Sequence, residues 1–435
     1  MTDSDLPQQM REEWNQRALE DAHYYVAFAR RGQDEDEFFA TAAEVVRGLE
    51  DELKRLPPGD RRARRALEIG CGPGRLMKPM SWNFGEIHGV DVSDEMIRLA
   101  AEKLVNVPNA FPLSTNGTDL SCYEDDFFDF VYSFAVFQHI PSRDLVFSYL
   151  AEARRVLKPG GVLRFQVNGL PETARQYSTW DGVRIAAPEM AEFACTHDFQ
   201  LLALEGVDTQ YLWITMRKRP SGWFAALAEN RPRSAARVRN IVNAHSGEPI
   251  VPASGRFACM SLWIDELPED CDLNQINIEV EGEQAMPIFI GWPVFDGVRQ
   301  LNAQMPAKVR TGLVPVDVLW FGEPLCEQAW ARVTPPRPAV PRLTGVSDGI
   351  NLLSGAKIVS RSVKLFLEEL TAPDRLEVSL DGAVIPALDL FCADPVKMRF
   401  EITFKLPDSI TAGAHRVELR LGSRTFSPVG IEVVG

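Results

Sequence analysis

The sequence predicts an α/β domain built on a doubly wound, mostly parallel sheet, followed by two all-β sandwiches. Two observations predict the first part. Short apolar runs alternate with helical patterns from residue 66 to about 218, and a glycine-rich turn follows the first run. A third observation predicts the second part, because from about residue 250 helical periodicity gives way to short strands separated by turns.

The first part contains seven predicted strands, and a helix is expected after most of the first five. Ser93 predicts the start of the helix after the second strand, because a serine hydroxyl accepts a hydrogen bond from a backbone N–H of the first turn. Either Ser142 or Pro141 is expected to open the helix after the fourth strand. The last two strands leave no room for a helix between them and predict an antiparallel hairpin at the sheet edge. The predicted strands are 66–69, 86–90, 110–113, 128–133, 161–167, 200–206 and 210–217.

Breaks in these patterns predict the domain organisation. The tract VTPPRPAVP reads as a semi-rigid linker, because proline favours extended backbone. The predicted segments are a helical lid or cap (1–60), the α/β domain (61–220), a connector (221–249), one β-sandwich (250–332), the linker (333–341) and a second β-sandwich (342–435).

Composition excludes several classes of function. A net charge of −15 argues against broad binding of nucleic acid, which needs a basic face. No window is apolar over the roughly 18 residues that a membrane span requires. The seven cysteines are scattered without a CxxC pair, so neither a disulfide framework nor a metal site is expected. These features predict a cytoplasmic protein.

The stretch ALEIGCGPGRL, residues 66–76, places Gly70, Gly72 and Gly74 at alternate positions behind an apolar strand. Glycine permits positive φ and lets the backbone approach a ligand closely. Asp91 ends the second strand, where a carboxylate can accept hydrogen bonds from two ribose hydroxyls. Such a carboxylate fits either NAD or S-adenosylmethionine (SAM), but the glycine spacing differs from the dinucleotide fingerprint.

Three further features separate these two readings: FFDFVYSFAVFQHI (127–140), the turn in LKPGGVLRF (157–165), and the reversed hairpin at 200–217. Together with the glycine loop, they resemble the class I SAM-dependent methyltransferases over about residues 64–218. The resemblance implies a Rossmann-like, seven-stranded sheet with an antiparallel last strand and SAM as cofactor.

By position, the resemblance also implies the cofactor site. Asn116 stands where the family usually has an acid that accepts from the adenine amine, a departure that predicts weaker adenine recognition, with Asp119 as a possible substitute. Glu68 either contacts the ligand or orients the loop. The implied cofactor residues are Glu68, Gly70, Cys71, Gly72, Gly74, Asp91, Val92, Met96, Asn116, Gly117 and Ser133.

The candidate for catalysis is His139, just after the fourth strand, either as a general base for an oxygen nucleophile or as a structural residue. The segment around Trp14, Tyr24 and Tyr25 predicts either a lid with an aromatic wall on the substrate side or an ordinary packed helix. The loop 168–190 is longer than most strand–helix connections, which fits a functional loop that faces the methyl group and a plain surface loop equally well. Its substrate-side candidates are Tyr177, Trp180, Asp181 and Arg184.

Residues 261–320 resemble immunoglobulin-like modules of the IPT/TIG type, and the final segment resembles another immunoglobulin-like module. The sequence therefore predicts a methyltransferase that methylates oxygen in a saccharide, a glycoconjugate or another small molecule, with β modules engaging the substrate or a partner. The alternatives are a methyltransferase for another metabolite or a protein, with the modules forming a homodimer, and a SAM-binding scaffold without catalysis.

Overall fold

The computed structural model describes residues 6–27, 31–172, 177–229, 234–255, 257–336, 339–350, 355–394 and 398–434. The chain forms two compact units, Met1–Ala22 with Phe38–Pro336, and His23–Glu37 with Arg337–Gly435. The first helix has one non-helical residue, Asp21. The helices are α1 (Leu6–Ala27), α2 (Glu35–Ala40), α3 (Ala43–Glu52), α4 (Met77–Met80), α5 (Asp94–Lys103), α6 (Arg143–Val156), α7 (Ala187–Thr196) and α8 (Trp223–Glu229).

A seven-stranded sheet forms the centre of the first unit, in the order β3-β2-β1-β4-β5-β7-β6. All neighbours pair in parallel except β7, which is antiparallel to both β5 and β6, as the sequence predicts. The strands are β1 (Arg65–Ile69), β2 (Glu86–Asp91), β3 (Ala110–Ser114), β4 (Phe128–Ser133), β5 (Leu157–Val167), β6 (Phe199–Glu205) and β7 (Leu212–Lys218).

Serine caps start the helices that follow two of these strands. The Ser93 hydroxyl accepts from the Met96 N–H at 3.1 Å, and the Ser142 hydroxyl accepts from the Leu145 N–H at 3.3 Å. Each bond satisfies a backbone donor that has no partner within the helix. The predicted starts of α5 and α6 are confirmed.

The loops at the carboxyl ends of β1, β2 and β4 lie together on one edge of the sheet. Ligands bind at this edge in sheets of this kind.

The next strands of the first unit extend this sheet. One antiparallel bridge joins Phe289 of β12 to Ala203 of β6, and β12 pairs further with β11 and β13. The segment 221–249, predicted as a connector, holds α8 and β8, and β8 pairs with β10 inside the β module. The strands are β8 (Arg237–Asn243), β9 (Val251–Pro252), β10 (Cys259–Asp265), β11 (Ile276–Val280), β12 (Glu283–Ile290), β13 (Arg299–Gln304), β14 (Gly312–Trp320), β15 (Glu323–Pro324) and β16 (Ala329–Thr334).

In the described part of the second unit, four strands form one sheet and six form another. Alternate residues of strands such as β19 are buried, and buried residues from both sheets form one core. The strands are β17 (Arg342–Asp348), β18 (Lys357–Ile358), β19 (Ser362–Glu368), β20 (Leu376–Leu380), β21 (Ala383–Val384), β22 (Asp389–Asp394), β23 (Arg399–Lys405), β24 (Gly413–Leu421), β25 (Arg424–Thr425) and β26 (Val429–Val433).

Within the described ranges, no helix is long and apolar enough to cross a membrane. The same ranges contain no group of three or more His, Cys, Asp or Glu side chains placed to hold a metal ion.

Candidate cofactor and active site

The glycine loop after β1 is fixed to the end of β2. The N–H groups of Gly70 and Cys71 both donate to the Val90 carbonyl, at 2.7 and 2.9 Å. Gly70 has φ of +73° and Gly74 has φ of +82°. A Cβ atom on Gly70 would lie 2.2 Å from Val136 Cγ2. Glycine is therefore required at position 70 both by the positive φ and by the close approach of the Val136 side chain.

Asp91 is the polar centre of the predicted site. Its Oδ2 atom accepts from the Gly72 N–H and its Oδ1 atom from the Ser93 N–H, both at 2.9 Å. Burial raises the pKa of Asp91, and the hydrogen bonds from Ser93 and Gly72 act in the opposite direction by stabilising the carboxylate. Each carboxylate oxygen keeps a second lone pair. The side chain is thus held in place with acceptor capacity left for two hydroxyls.

Glu68 has a different environment from Asp91. It is buried, and its Oε2 atom accepts from the Tyr132 hydroxyl at 2.9 Å. Burial raises the pKa of Glu68 to about 8, while Tyr132 and the charge of Arg75 lower it by less. A carboxyl group in this state is mostly protonated at neutral pH. Of the two predicted roles, this environment favours orientation of the loop over direct contact with the ligand.

Several of the other predicted cofactor residues shape the site through their packing. The Ser133 hydroxyl donates to the Ile69 carbonyl at 2.9 Å and so ties the ends of β4 and β1 together. Cys71 and Met96 are buried, and burial raises the pKa of the Cys71 thiol. A Cβ atom on Gly117 would lie 2.7 Å from Val92 Cγ2, so these two predicted residues are in close contact.

Asn116 forms a turn within its own loop. Its carbonyl oxygen accepts from the N–H groups of Thr118 and Asp119, at 2.9 and 3.2 Å, and its amide donates to the Asp119 carboxylate at 3.0 Å. Hydrogen bonds from Ser121 are the main cause that lowers the pKa of Asp119 to about 2. Both lone pairs of the Asn116 oxygen are therefore occupied, and an adenine amine would have to displace one of these bonds.

His139 is half-buried between two tryptophan rings. Its ring lies 5.4 Å from Trp14 and 5.4 Å from Trp180, measured between centroids. The Nδ1–H group donates to the Trp180 carbonyl at 2.8 Å, which leaves the lone pair on Nε2. The Gln138 amide nitrogen lies 3.3 Å from Nε2, and the Gln138 oxygen accepts from Gln166 at 2.9 Å.

Burial lowers the pKa of His139 to about 4. The imidazole is therefore neutral at pH 7, and as a base it is weaker than an ordinary histidine. Its two ring nitrogens already contact Trp180 and Gln138. Of the two roles predicted for His139, general base and structural residue, the geometry favours the structural one, in which His139 positions the loop around Trp180.

The lowered pKa of His139 predicts acid-dependent stability. Because the folded pKa is about 4 and the ordinary value is 6.5, the unfolded chain binds more protons between these values. The resulting stability is complete above about pH 6.5 and is lost as the pH falls towards 4. Acidification from pH 7.5 to pH 5 should therefore lower the free energy of unfolding by about 2 kcal/mol through His139 alone. Urea unfolding of the wild type and of His139→Gln at both pH values measures this loss of unfolding free energy. The loss should be about 2 kcal/mol smaller in the variant, and equal losses in the two proteins would contradict the prediction.

Helix α1 contributes side chains to this edge of the sheet that no sequence pattern singles out. Arg11 donates to the Asp94 carboxylate at 2.8 Å, and the Asn15 oxygen accepts from the Ser93 hydroxyl at 2.7 Å and from the Glu95 N–H at 3.1 Å. These residues thus hold α1 to the start of α5, next to Asp91.

The predicted aromatic residues of this N-terminal segment separate into two sets. Trp14 lies beside His139 in the first unit. Tyr24 and Tyr25 belong to the second unit, where the Tyr24 hydroxyl donates to the Ile350 carbonyl at 3.1 Å. Tyr24 follows the irregular residue Asp21 in the helix and is buried.

The loop after β5 is brought to His139 and α1. Arg17 donates to the Thr179 hydroxyl at 2.9 Å, and its guanidinium carbon lies 5.5 Å from the centroid of the Trp180 ring. The Tyr177 hydroxyl is buried and has no hydrogen-bond partner among the described residues. Arg184 donates to the Pro171 carbonyl at 2.7 Å and so closes the base of the loop. Of these predicted residues, Trp180 lies directly beside His139, and Tyr177 packs against the hydrophobic core of the first unit.

The site combines a glycine loop, an acidic strand end and a wall of aromatic residues. Residues 67–165 match the family model described as a methyltransferase domain. The matched segment contains the glycine loop, Asp91 and His139. SAM is the cofactor of this domain, in agreement with the sequence prediction.

Two curated relatives that are similar to part of this chain are named as methyltransferases. The chain is 29% identical over 162 residues to phosphoethanolamine N-methyltransferase 2 of Caenorhabditis elegans, covering 35% of this chain and 36% of that protein. It is 30% identical over 143 residues to trans-aconitate 2-methyltransferase of Rhodopseudomonas palustris, covering 31% and 49%. The chain thus spans between a third and a half of these relatives. A solved structure described as the DhpI complex with SAH is similar over 50% of this chain and 100% of that one, with 18% identity and a TM-score of 0.37.

Proposed function

We propose that this chain transfers the methyl group of SAM to an oxygen atom of a small molecule, with a saccharide or glycoconjugate as the preferred class. The observation that carries the proposal is Asp91, held by the Gly72 and Ser93 N–H groups beside a loop that only glycine can form. Methyl transfer from a sulfonium is an in-line displacement, so the protein mainly aligns the acceptor and excludes water. Bound SAM would supply the methyl group: the acceptor oxygen would attack the methyl carbon and lose its hydroxyl proton to water, the bond to sulfur would break, and S-adenosylhomocysteine would leave.

The side of the site around His139 supports a small acceptor. Trp14 and Trp180 provide apolar surfaces, and the buried Tyr177 hydroxyl offers a donor and an acceptor that no described residue uses. Sites for small ligands usually combine such surfaces with a few polar groups. A sugar presents apolar ring faces and hydroxyls together, which is why this class is preferred.

The β modules are proposed to be immunoglobulin-like and to engage the substrate or a partner. Trp320 is buried, whereas the Trp330 side chain on β16 is 54% exposed. An exposed indole on a strand can stack on a sugar ring or contact a second protein. If the modules serve only for dimerisation, Trp330→Ala should change the oligomeric state and leave the KM for the acceptor unchanged.

The test of the proposed function uses purified protein and methyl-labelled SAM with fractionated cell extract. The fractions are polysaccharide, small molecules, protein and nucleic acid, and Asp91→Ala is the control. Label in the polysaccharide or small-molecule fraction that the variant does not produce is the expected result. Label in the protein fraction alone would support a methyltransferase that acts on a protein. SAM binding without label in any fraction would support a SAM-binding scaffold without catalysis.

The contacts of α1 predict that this helix acts as a lid on the cofactor. Asn15→Ala removes the acceptor for the Ser93 hydroxyl and the Glu95 N–H, and should weaken SAM binding by about five- to tenfold, since each such bond contributes about 1 kcal/mol. Titration calorimetry measures the affinity, and Gln16→Ala, an exposed neighbour on the same helix, is the matched control. An unchanged affinity in Asn15→Ala would argue that α1 is an ordinary packed helix.

A further inference from the structure

Three arginines from distant parts of the first unit meet away from the cofactor site. Arg55 follows α3, Arg217 lies on β7, and Arg299 starts β13. Arg55 and Arg299 are buried, at 3% and 5% exposure. Burial, with smaller contributions from the charges of Arg55 and Arg217, lowers the pKa of Arg299 to about 10. Arg217 donates to the Arg55 carbonyl, and Arg55 and Arg299 donate to the carbonyls of the adjacent residues Ile290 and Gly291, so the three side chains converge on one place.

Backbone carbonyls hold each guanidinium group in place. Arg55 Nη1 donates to the Ile290 carbonyl at 2.6 Å, and Arg217 Nη2 donates to the Arg55 carbonyl at 2.7 Å. Arg299 donates to the Gly291 carbonyl at 3.0 Å and to the Pro268 carbonyl at 3.1 Å. The Arg55 guanidinium also lies 5.2 Å from the ring centroid of Phe289. The orientation of the cluster is thus fixed before any ligand arrives, which lowers the entropic cost of binding.

Two donors in this cluster have no acceptor. Arg55 Nη2 and Arg217 Nε are buried and make no hydrogen bond with the described residues. Leaving such a donor without a partner costs free energy comparable to the loss of a hydrogen bond, and more when the group is charged. A bound group that supplied an acceptor to these two atoms would remove that cost.

The carboxylates near the cluster do not neutralise it. Glu52 accepts from Arg55 Nε at 2.6 Å, and Glu269 accepts from Arg217 Nη1 at 3.1 Å, whereas the described hydrogen bonds of Arg299 go only to carbonyls. The Glu269 side chain is 78% exposed and can turn towards water. With Glu269 turned away, two of the three positive charges are uncompensated, which suits an anion of charge −2.

Three further charged groups flank the cluster. Arg219 pairs with Asp270, and the buried Asp272 carboxylate acts on Arg219. Burial raises the pKa of Asp272 to about 7, so this group is only partly ionised at neutral pH. These flanking groups therefore nearly balance one another and leave the excess positive charge with the three arginines.

We propose that Arg55, Arg217 and Arg299 form a binding site for a tetrahedral oxyanion, a phosphate or sulfate group. Guanidinium groups match such oxygens geometrically and donate charge-assisted hydrogen bonds. The anion accepts from Arg55 Nη2 and Arg217 Nε and bridges the turn after α3, β7 and the hairpin between β12 and β13. This site is independent of methyl transfer, and its occupancy stabilises the first unit.

The experiment measures binding of inorganic phosphate and of sulfate to the full chain by titration calorimetry and by thermal unfolding. Sodium chloride keeps the ionic strength constant. Because sulfate and phosphate also stabilise proteins by exclusion from their surface, the expected signature is a saturable increase in Tm rather than a linear one. Glycerol 3-phosphate, with glycerol as its neutral control, shows whether the site takes a phosphoryl group carried on a metabolite or only the free ion.

Three variants make the result specific. Arg217→Met should weaken the saturable binding at least tenfold, whereas Arg239→Met, which removes the same charge from an exposed pair with Asp265, should leave it unchanged. Glu52→Gln removes a competing negative charge but keeps an acceptor for Arg55, so binding should become about five- to tenfold tighter. The proposal would be overturned if the Tm of the wild-type protein rose only linearly with phosphate or sulfate. It would also be overturned if Arg217→Met bound these anions with the same affinity as the wild type. Should Arg217→Met not fold, Glu52→Gln decides, and an unchanged affinity in that variant is the contradicting result.

Discussion

Asp91→Ala is expected to weaken SAM binding by about 100-fold or more. The substitution removes the proposed acceptor for two ribose hydroxyls, and each hydrogen bond to a charged group contributes about 1.5–3 kcal/mol. It also leaves the Gly72 and Ser93 N–H groups without their present acceptor, so the loop loses the contact that orients it. The loss should therefore appear in the dissociation constant of SAM, and in methyl transfer at subsaturating SAM.

The control for this prediction lies on the same strand. Glu86 begins β2 and Asp91 ends it, so the two carboxylates stand at opposite edges of the sheet. Glu86 contacts Arg65 and His88, and it touches none of the proposed cofactor residues among its described hydrogen bonds. Glu86→Ala should change the SAM affinity by less than about twofold. Comparable losses in both variants would show that charge or stability, and not the position of Asp91, controls binding.

The sequence predicts the centre of the first unit well because each element has a local signal. The strand β4 is expected at 128–133 and is observed at Phe128–Ser133, in a stretch that is apolar or aromatic except for Asp129 and Ser133. Ser93 and Ser142 cap their helices as expected, since a cap needs only residues three positions apart. The glycine spacing and the residue at the end of β2 likewise belong to one short motif.

Contacts between distant residues are not predictable in this way. Asn15 contacts Ser93 across 78 positions, and nothing in the sequence of the predicted helical lid or cap distinguishes Asn15 from its polar neighbours. The continuation of the sheet into the β module depends on one bridge, Phe289 to Ala203, because an edge strand carries no sequence mark of the strand that will cover it. Arg55, Arg217 and Arg299 are also isolated in sequence, and only the fold brings them together.

Gly70→Ala is the second substitution with a large expected effect, and it tests the backbone rather than a side chain. A residue other than glycine at φ of +73° costs about 1–2 kcal/mol. The added Cβ would also lie 2.2 Å from Val136 Cγ2, and such crowding of a packed site costs about 1–3 kcal/mol more. The free energy of unfolding should fall by about 2–5 kcal/mol, and SAM binding should be lost as the loop moves.

Two further variants separate the two causes. Gly282 has φ of +80°, and a Cβ atom added there would meet no atom within 4 Å, so Gly282→Ala should show the conformational cost alone and leave SAM binding intact. In Gly70→Ala with Val136→Ala, the crowding is relieved and part of the stability should return, which a double-mutant cycle measures as a coupling energy of about 1–2 kcal/mol. Additive effects in this cycle would mean that the loop does not pass Val136 as closely as the structure indicates. A coupling of the expected sign, with SAM affinity recovering in parallel, would tie the conformation of the glycine loop directly to cofactor binding.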